Sequence, residues 1–286
     1  MSKLRAALNG LNQVLSTLNL QLDTLTAARL ERQRLREIDR RGWFDQPVYP
    51  LPASFTNPQY QRLLDELPKY RERFDTFAHA ESNDVGFQFD NGFYGSPDAE
   101  VLYAMVRTLR PRRIVEIGCG NSTRIIRQAI RDGQIDCEHI GIDPQPRREV
   151  SGLVDIRIDR PIEDAGAEAH IEKLDAGDIL FIDTSHEVKP ANDVAYIYGR
   201  LVPGLSAGVI VHIHDIFIPY EYPRAWLLDT GRKWGEQYIV QAIVMNSANW
   251  EVLWPGYFLQ RTLPEFARHF PYLSSGYAQS LWLRRT

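Results

Sequence analysis

Leu4, Leu8, Leu11, Leu15, Leu18, Leu22 and Leu25 recur at alternating steps of four and three residues. That spacing predicts an amphipathic helix with the narrow a/d seam of a heptad repeat, interrupted where Arg29 and Arg32 arrive. One helix packing on its own domain would explain the stripe. A short coiled coil between chains explains its narrowness better. Residues 1–41 are therefore expected to form an oligomerisation segment, and the protein a homo-oligomer. Residues 42–57, with three prolines and several aromatics, read as an irregular connector, and 58–77 as a helix. The stretch 97–110 also reads as a helix, with Ser96 as its cap, Pro97 in its first turn and Pro111 as its stop.

From Arg112 the pattern changes. Apolar runs at 112–118, 137–143, 153–159, 178–183 and 208–215 predict buried strands. Helical stretches at 122–133, 164–174 and 190–201 separate them. Strands alternating with helices imply an α/β fold, a parallel sheet covered on both faces. Residues 235–246 read as a further helix, and 250–256 and 279–285 as an antiparallel pair at the sheet edge. The expected organisation is an N-terminal helix (1–41), a connector with a helical segment (42–84) and a catalytic domain (85–286).

Composition narrows the function. With 33 basic and 37 acidic side chains, the net charge of -4 gives no reason to expect a nucleic-acid partner. Two cysteines exclude a disulfide scaffold and fit a reducing compartment. The N-terminus has no signal-peptide core, and no run is long enough to span a bilayer, so a cytoplasmic protein without a membrane partner is expected.

The candidate chemistry starts at Val-Glu-Ile-Gly-Cys-Gly-Asn-Ser-Thr, residues 115–123. A strand ends here in two glycines, Gly118 and Gly120, which let a bulky ligand approach the backbone. No third glycine follows and no Gly-Lys-Ser/Thr ending is present, so a phosphate-bearing ligand is disfavoured. The next strand ends at Asp143, where a carboxylate can accept both ribose hydroxyls. A glycine turn plus this acid points to an adenosine-type ligand.

These stretches, with Gly-Ile-Asp-Pro (141–144), Asp-Ile-Leu-Phe-Ile-Asp-Thr-Ser-His (178–186) and Gly-Val-Ile-Val-His-Ile-His-Asp-Ile-Phe (208–217), resemble class I S-adenosylmethionine-dependent methyltransferases. The resemblance covers roughly residues 85–286 and is closest to a bacterial subgroup with a G-x-G-N-S-T loop. It implies a Rossmann-like sheet of seven strands in the order 3-2-1-4-5-7-6, the last strand antiparallel. It implies that Glu116, Gly118, Gly120 and the loop through Asn121, Ser122 and Thr123 surround the methionine part of S-adenosylmethionine. Asp143 would hold the ribose, the turn from Asp159 to Ile162 would border the adenine, and Asp183 would face the methionine end or the substrate. Phe93 and Tyr94, in a glycine- and aromatic-rich stretch, would cover the cofactor. The implied reaction is methyl transfer to a hydroxyl, or an amine, of a small polar acceptor such as a sugar or secondary metabolite.

Two strand ends also bring Asp183, His186, His214 and Asp215 to one rim. His212 shares a side of its strand with His214 but lies deeper, as a hydrogen-bonded core residue. His214, His186 and Asp183 are the candidate catalytic groups, a histidine being suited to take the acceptor's proton. A divalent metal on His186, His214 and Asp215 is the close alternative. Imidazole favours iron, zinc or a similar ion over magnesium. These side chains shaping the rim, without chemistry, is the third. Glu221 and Arg224 are further candidates for holding a polar substrate, against packing of their aromatic-rich stretch on the sheet. Beyond methyl transfer, the same residues allow a transition-metal-dependent enzyme on this fold or a non-catalytic S-adenosylmethionine sensor.

Overall fold

The structure, a computed structural model, describes residues 2–18, 20, 22, 26–79, 82–164, 166–246, 248–274 and 276–286. Its elements run α1 (Ser2–Leu15), α2 (Thr26–Arg40), α3 (Tyr60–Glu66), α4 (Arg71–Thr76), α5 (Asp98–Leu109), β1 (Arg113–Ile117), α6 (Asn121–Gly133), β2 (Glu138–Ile142), β3 (Ile156–Ile158), α7 (Glu168–Ile171) and β4 (Ile179–Ile182). Then follow α8 (Asp193–Tyr196), β5 (Ile210–Ile213), α9 (Arg224–Leu228), α10 (Glu236–Asn246), β6 (Trp250–Pro255), α11 (Gly256–Thr262), α12 (Phe266–His269) and β7 (Leu281–Arg285). The chain divides into two compact units, residues 1–46 with 223–232, and residues 47–222 with 233–286.

In the first unit, α2 buries Leu35 and Ile38, and Asp39 accepts a two-pronged pair from Arg224 of α9 at 2.9 Å on each oxygen. The leucine seam does not run on one helix. Helix α1 stops at Leu15, and the Asn12 side chain both donates to the Leu22 carbonyl and accepts from its amide, each at 2.7 Å, which ties the chain back. Leu11, Leu18 and Leu22 are exposed. The Leu4 and Leu25 side chains lie outside the described residues.

The second unit is built on a seven-stranded sheet in the order β3-β2-β1-β4-β5-β7-β6, as the resemblance implies. Strands β1 to β5 are parallel, and β7 runs antiparallel to both of its neighbours. The strands read as almost continuous apolar runs because both faces are covered. Ile114, Ile179, Phe181 and Ile210 pack with α5 and α6 on one face. Val115, Ile140, Leu180, Val211 and Ile213 pack with α7, α8 and α10 on the other. The period of two then sends Glu116, His139 and His212 to the α5/α6 face.

Several helices are shorter than their patterns predict, for local reasons. The helix expected over 58–77 is split by Pro68 into α3, a 3₁₀ turn and α4. Pro97, not Ser96, occupies the cap of α5, and the Ser96 hydroxyl instead donates to Glu100 at 2.7 Å. Gly166 at φ +103° delays α7. Asn192 sets the start of α8 by accepting from the Ala195 amide at 3.1 Å. Among the described residues no helix is long and apolar enough to cross a membrane.

Candidate active site

The strand order reverses between β1 and β4, so the turns leaving those strands part and leave a crevice beyond their carboxyl ends. A cavity of about 450 Å³ lies there, within the range of small-molecule sites. Its walls include Gly118, Gly120, Asn121 and Ser122 after β1, Asp143 after β2, Ile162 after β3 and Asp183 after β4, with Phe93 and Tyr94 opposite.

The two glycines do different work. Gly118 has φ +88°, and a Cβ there would lie 1.8 Å from the Asp183 carbonyl oxygen, so it permits the close passage of two strand ends. A Cβ on Gly120 would meet nothing within 4 Å; its missing side chain is open space for a ligand. Side chains hold the loop between them. The Asp143 carboxylate accepts from the Cys119 amide at 2.8 Å and from the Gln145 amide at 2.7 Å. The Gly120 amide donates to the Thr123 hydroxyl at 2.9 Å.

Three expected cofactor residues do not reach the cavity. Glu116 is fully buried, accepting from the Ser122 hydroxyl at 2.6 Å and facing His139 Nε2 at 3.0 Å, so it braces the loop from beneath. Thr123 is buried as the partner of Gly120. Asp159 is exposed and paired with Arg157 at 2.5 Å, leaving Pro161, Ile162 and Glu163 to form that wall. Glu221 and Arg224 are not free to hold a substrate. Glu221 is buried, accepting from the Tyr49 and Tyr238 hydroxyls at 2.7 Å each, and Arg224 is engaged by Asp39.

The histidines sit behind Asp183 rather than in the cavity. The Asp183 side chain is 30% exposed, those of His186 and His214 only 5% and 3%. His186 Nε2 lies 3.2 Å from Asp183 and 3.1 Å from Asp215, and its Nδ1 lies 2.7 Å from Glu236. His214 is looser, at 3.6 Å from Asp183 and from Asp98 and 3.7 Å from Asp215; its ring lies 4.8 Å from that of Tyr94. Burial alone would push the His186 pKa down, but Asp183, Asp215 and Glu236 hold it well above the usual histidine range. For His214, burial is likewise overcome, by Asp215 and Asp183. Burial would raise Asp183, and the two imidazoles instead hold it well below the usual carboxylate range. Both histidines are thus held by carboxylates, and neither lines the cavity. His212 stays neutral through burial, with Nε2 3.0 Å from the Ser280 hydroxyl.

The metal candidates also regroup. Ligand atoms of Asp183, His186 and Asp215 lie within 4.8 Å of one another. The expected set of His186, His214 and Asp215 thus exchanges His214 for Asp183. Sequence reasoning missed Glu236 and Asp98, each in the first turn of its helix. It also missed Asn91, whose Oδ1 accepts from the Phe93 and Tyr94 amides at 3.0 and 2.8 Å and from the Asn121 side chain at 2.9 Å. The Asn-Gly pair at 91–92 was the available signal for that turn.

With this geometry in place, comparison with known proteins adds one assignment. Residues 115–216 match a family model described as a methyltransferase domain. No curated protein matches the sequence. The chain is similar to a methyltransferase of Podospora anserina, PaMTH1, solved with S-adenosylhomocysteine (16% identity, 88% of this chain and 96% of that one, TM-score 0.42). It is similar to apo CmcI-N160 (18% identity, 71% and 80%, TM-score 0.43). It is also similar to the plantazolicin methyltransferase BamL with a desmethyl analog and S-adenosylhomocysteine (16% identity, 79% and 98%, TM-score 0.39). The fold assignment rests on the chain's own strand order.

Proposed function

We propose that the protein transfers a methyl group from S-adenosylmethionine to a hydroxyl, or an amine, of a small polar acceptor, within the G-x-G-N-S-T subgroup. The observation that carries this reading is the cavity at the β1/β4 crevice, with open space at Gly120 and the Asp143 carboxylate on its wall. The donor set fits the cofactor. Gly118, Gly120 and Asn121 would lie against its methionine part, Asp143 would accept from its ribose, and Ile142 and Ile162 give the apolar wall for its base. Asp143 retains acceptor capacity, since a carboxylate has about four lone-pair sites and amides occupy two. When bound, S-adenosylmethionine supplies an activated sulfonium methyl. The chain supplies proximity and exclusion of water. Asp183 is the carboxylate of the His/Asp cluster that faces the cavity, placed to accept a hydrogen bond from the acceptor's hydroxyl.

A second reading, that a divalent cation assists at Asp183, His186 and Asp215, draws on donor spacing. Adjacent ligands bound at about 2.1 Å stand roughly 3.0–3.4 Å apart, and the 3.1 and 3.2 Å separations around His186 Nε2 match. An imidazole among two carboxylates suits a transition ion better than magnesium.

The test is calorimetric titration with S-adenosylmethionine, alongside Asp143→Ala. Saturable binding, weakened roughly a hundredfold in the variant by loss of two charged hydrogen bonds, is expected. Turnover should release S-adenosylhomocysteine. Absence of binding, or equal binding by the variant, overturns the reading; binding with no turnover over a panel of hydroxyl and amine acceptors turns it towards a sensor.

A further inference from the structure

The cation reading leaves one buried carboxylate without a role. Glu236, the first residue of α10, is fully buried. Its Oε2 lies 2.7 Å from His186 Nδ1, and its Oε1 accepts from the Tyr198 hydroxyl at 2.7 Å. The same turn also grips the His186 backbone, whose carbonyl accepts from the Gly235 amide at 2.8 Å and the Glu236 amide at 3.2 Å. Side chain and main chain of one residue are thus clamped by one helix start.

That clamp works against a conformational cost. His186 has φ +59°, and so does Asp215, which faces it across 3.1 Å. Left-handed backbone at a residue other than glycine is disfavoured and persists where surroundings impose it. The two strained residues aim Nε2 and a carboxylate at the same point as Asp183. His186 Nε2 lies between two carboxylates, 3.2 and 3.1 Å away. A divalent cation in that place would engage all three donors.

We propose that Glu236, backed by Tyr198, is a positioning residue that keeps the His186 Nδ1 proton on its own side and so presents Nε2, with Asp183 and Asp215, to a divalent transition cation. The inference rests on the cation reading above. Carboxylates placed behind ligating histidines fix ring orientation and raise ligand basicity, and losing one commonly lowers metal affinity 10- to 100-fold.

Cobalt(II) is the probe, titrated into untagged, chelator-stripped protein and followed by its visible absorption. The wild type should take up one equivalent and His186→Ala none. Glu236→Gln, which keeps a neutral acceptor of the same shape, should bind about 10- to 100-fold more weakly. Tyr198→Phe should move affinity the same way by less, and it decides the matter if Glu236→Gln does not fold. S-adenosylmethionine affinity, measured on the same samples, should change less than about twofold, because neither Glu236 nor Tyr198 lines the cofactor cavity. No cobalt uptake by the wild type overturns the cation seat, and with it the role of Glu236. Equal uptake by wild type, Glu236→Gln and Tyr198→Phe overturns the positioning role alone. Loss of S-adenosylmethionine binding by the wild type counts against the methyltransferase reading, separately from either.

Discussion

Glu100 offers a quantitative check on the packing beside the site. It lies on α5, is 1% exposed, and accepts from the Ser96 hydroxyl on Oε1, while Oε2 is buried without a partner. Burial is the main cause that lifts its pKa from 4.5 to about 7, with the Ser96 hydrogen bond partly opposing it. For an acid whose folded pKa lies above the unfolded one, the stabilising contribution is fully present below the unfolded value and is lost as pH rises through the folded value. Glutamine at this position keeps an acceptor for Ser96 and never ionises. Moving the carboxyl from 4.5 to about 7 is worth about 3 kcal/mol. The stability of Glu100→Gln relative to wild type should therefore rise by about 2–3 kcal/mol between pH 5 and pH 8. Any constant offset from exchanging a hydroxyl for an amide cancels between the two pH values. Urea unfolding followed by tryptophan fluorescence reads this difference directly. A gap that stays flat, or shrinks, from pH 5 to pH 8 would refute the assignment of Glu100 as a carboxyl kept neutral by burial.

The two glycines of the loop should separate cleanly. Gly118→Ala drives a methyl into the Asp183 carbonyl and should destabilise the fold by about 3 kcal/mol or more. Gly120→Ala should shift stability by under about 1 kcal/mol while reducing S-adenosylmethionine affinity about tenfold, since the methyl projects into open space on the cavity wall. Melting and calorimetry check both, and the reverse ranking would contradict the different duties assigned to them. At the other end of the chain, Leu11, Leu18 and Leu22 are exposed. Deleting residues 1–25 spares the Asp39–Arg224 pair and should lower the solution mass by light scattering without changing cofactor binding. An unchanged mass removes self-association through this segment.

Much of the sheet was legible because parallel strands covered on both faces must be apolar almost throughout, as 179–182 and 210–213 are. The glycine turn was legible as well, since strand ends that close tolerate no Cβ at Gly118. What escaped was partnership across distance. Glu116 reads as a residue at a ligand's edge until His139, on the next strand, is seen to occupy its second oxygen. Nothing near His186 in the sequence marks the partner of its Nδ1, which is Glu236, fifty residues on. The N-terminal seam shows the opposite failure. Its periodicity is real in the sequence, but α1 ends at Leu15 and α2 starts at Thr26, with Asn12 bonded to the Leu22 backbone.

The same partnerships bear on which ligand the cavity selects. A dinucleotide site on this fold offers the free amides of its glycine loop to a pyrophosphate. Here two of those amides are already spent inside the protein, that of Cys119 on Asp143 and that of Gly120 on Thr123. Asp143 and Asp183 then present carboxylates to the same cavity. The cations of the wall, Arg147 and Arg148, lie in the exposed turn after β2, with Arg147 against the Phe93 ring at 5.1 Å. A pyrophosphate laid on this loop would find the Cys119 and Gly120 amides already committed. A ligand with ribose hydroxyls and a cationic sulfonium meets acceptors for the first and opposite charge for the second. The loop offers a pyrophosphate fewer free amides because its own side chains complete it, and this favours S-adenosylmethionine over a nicotinamide or flavin dinucleotide.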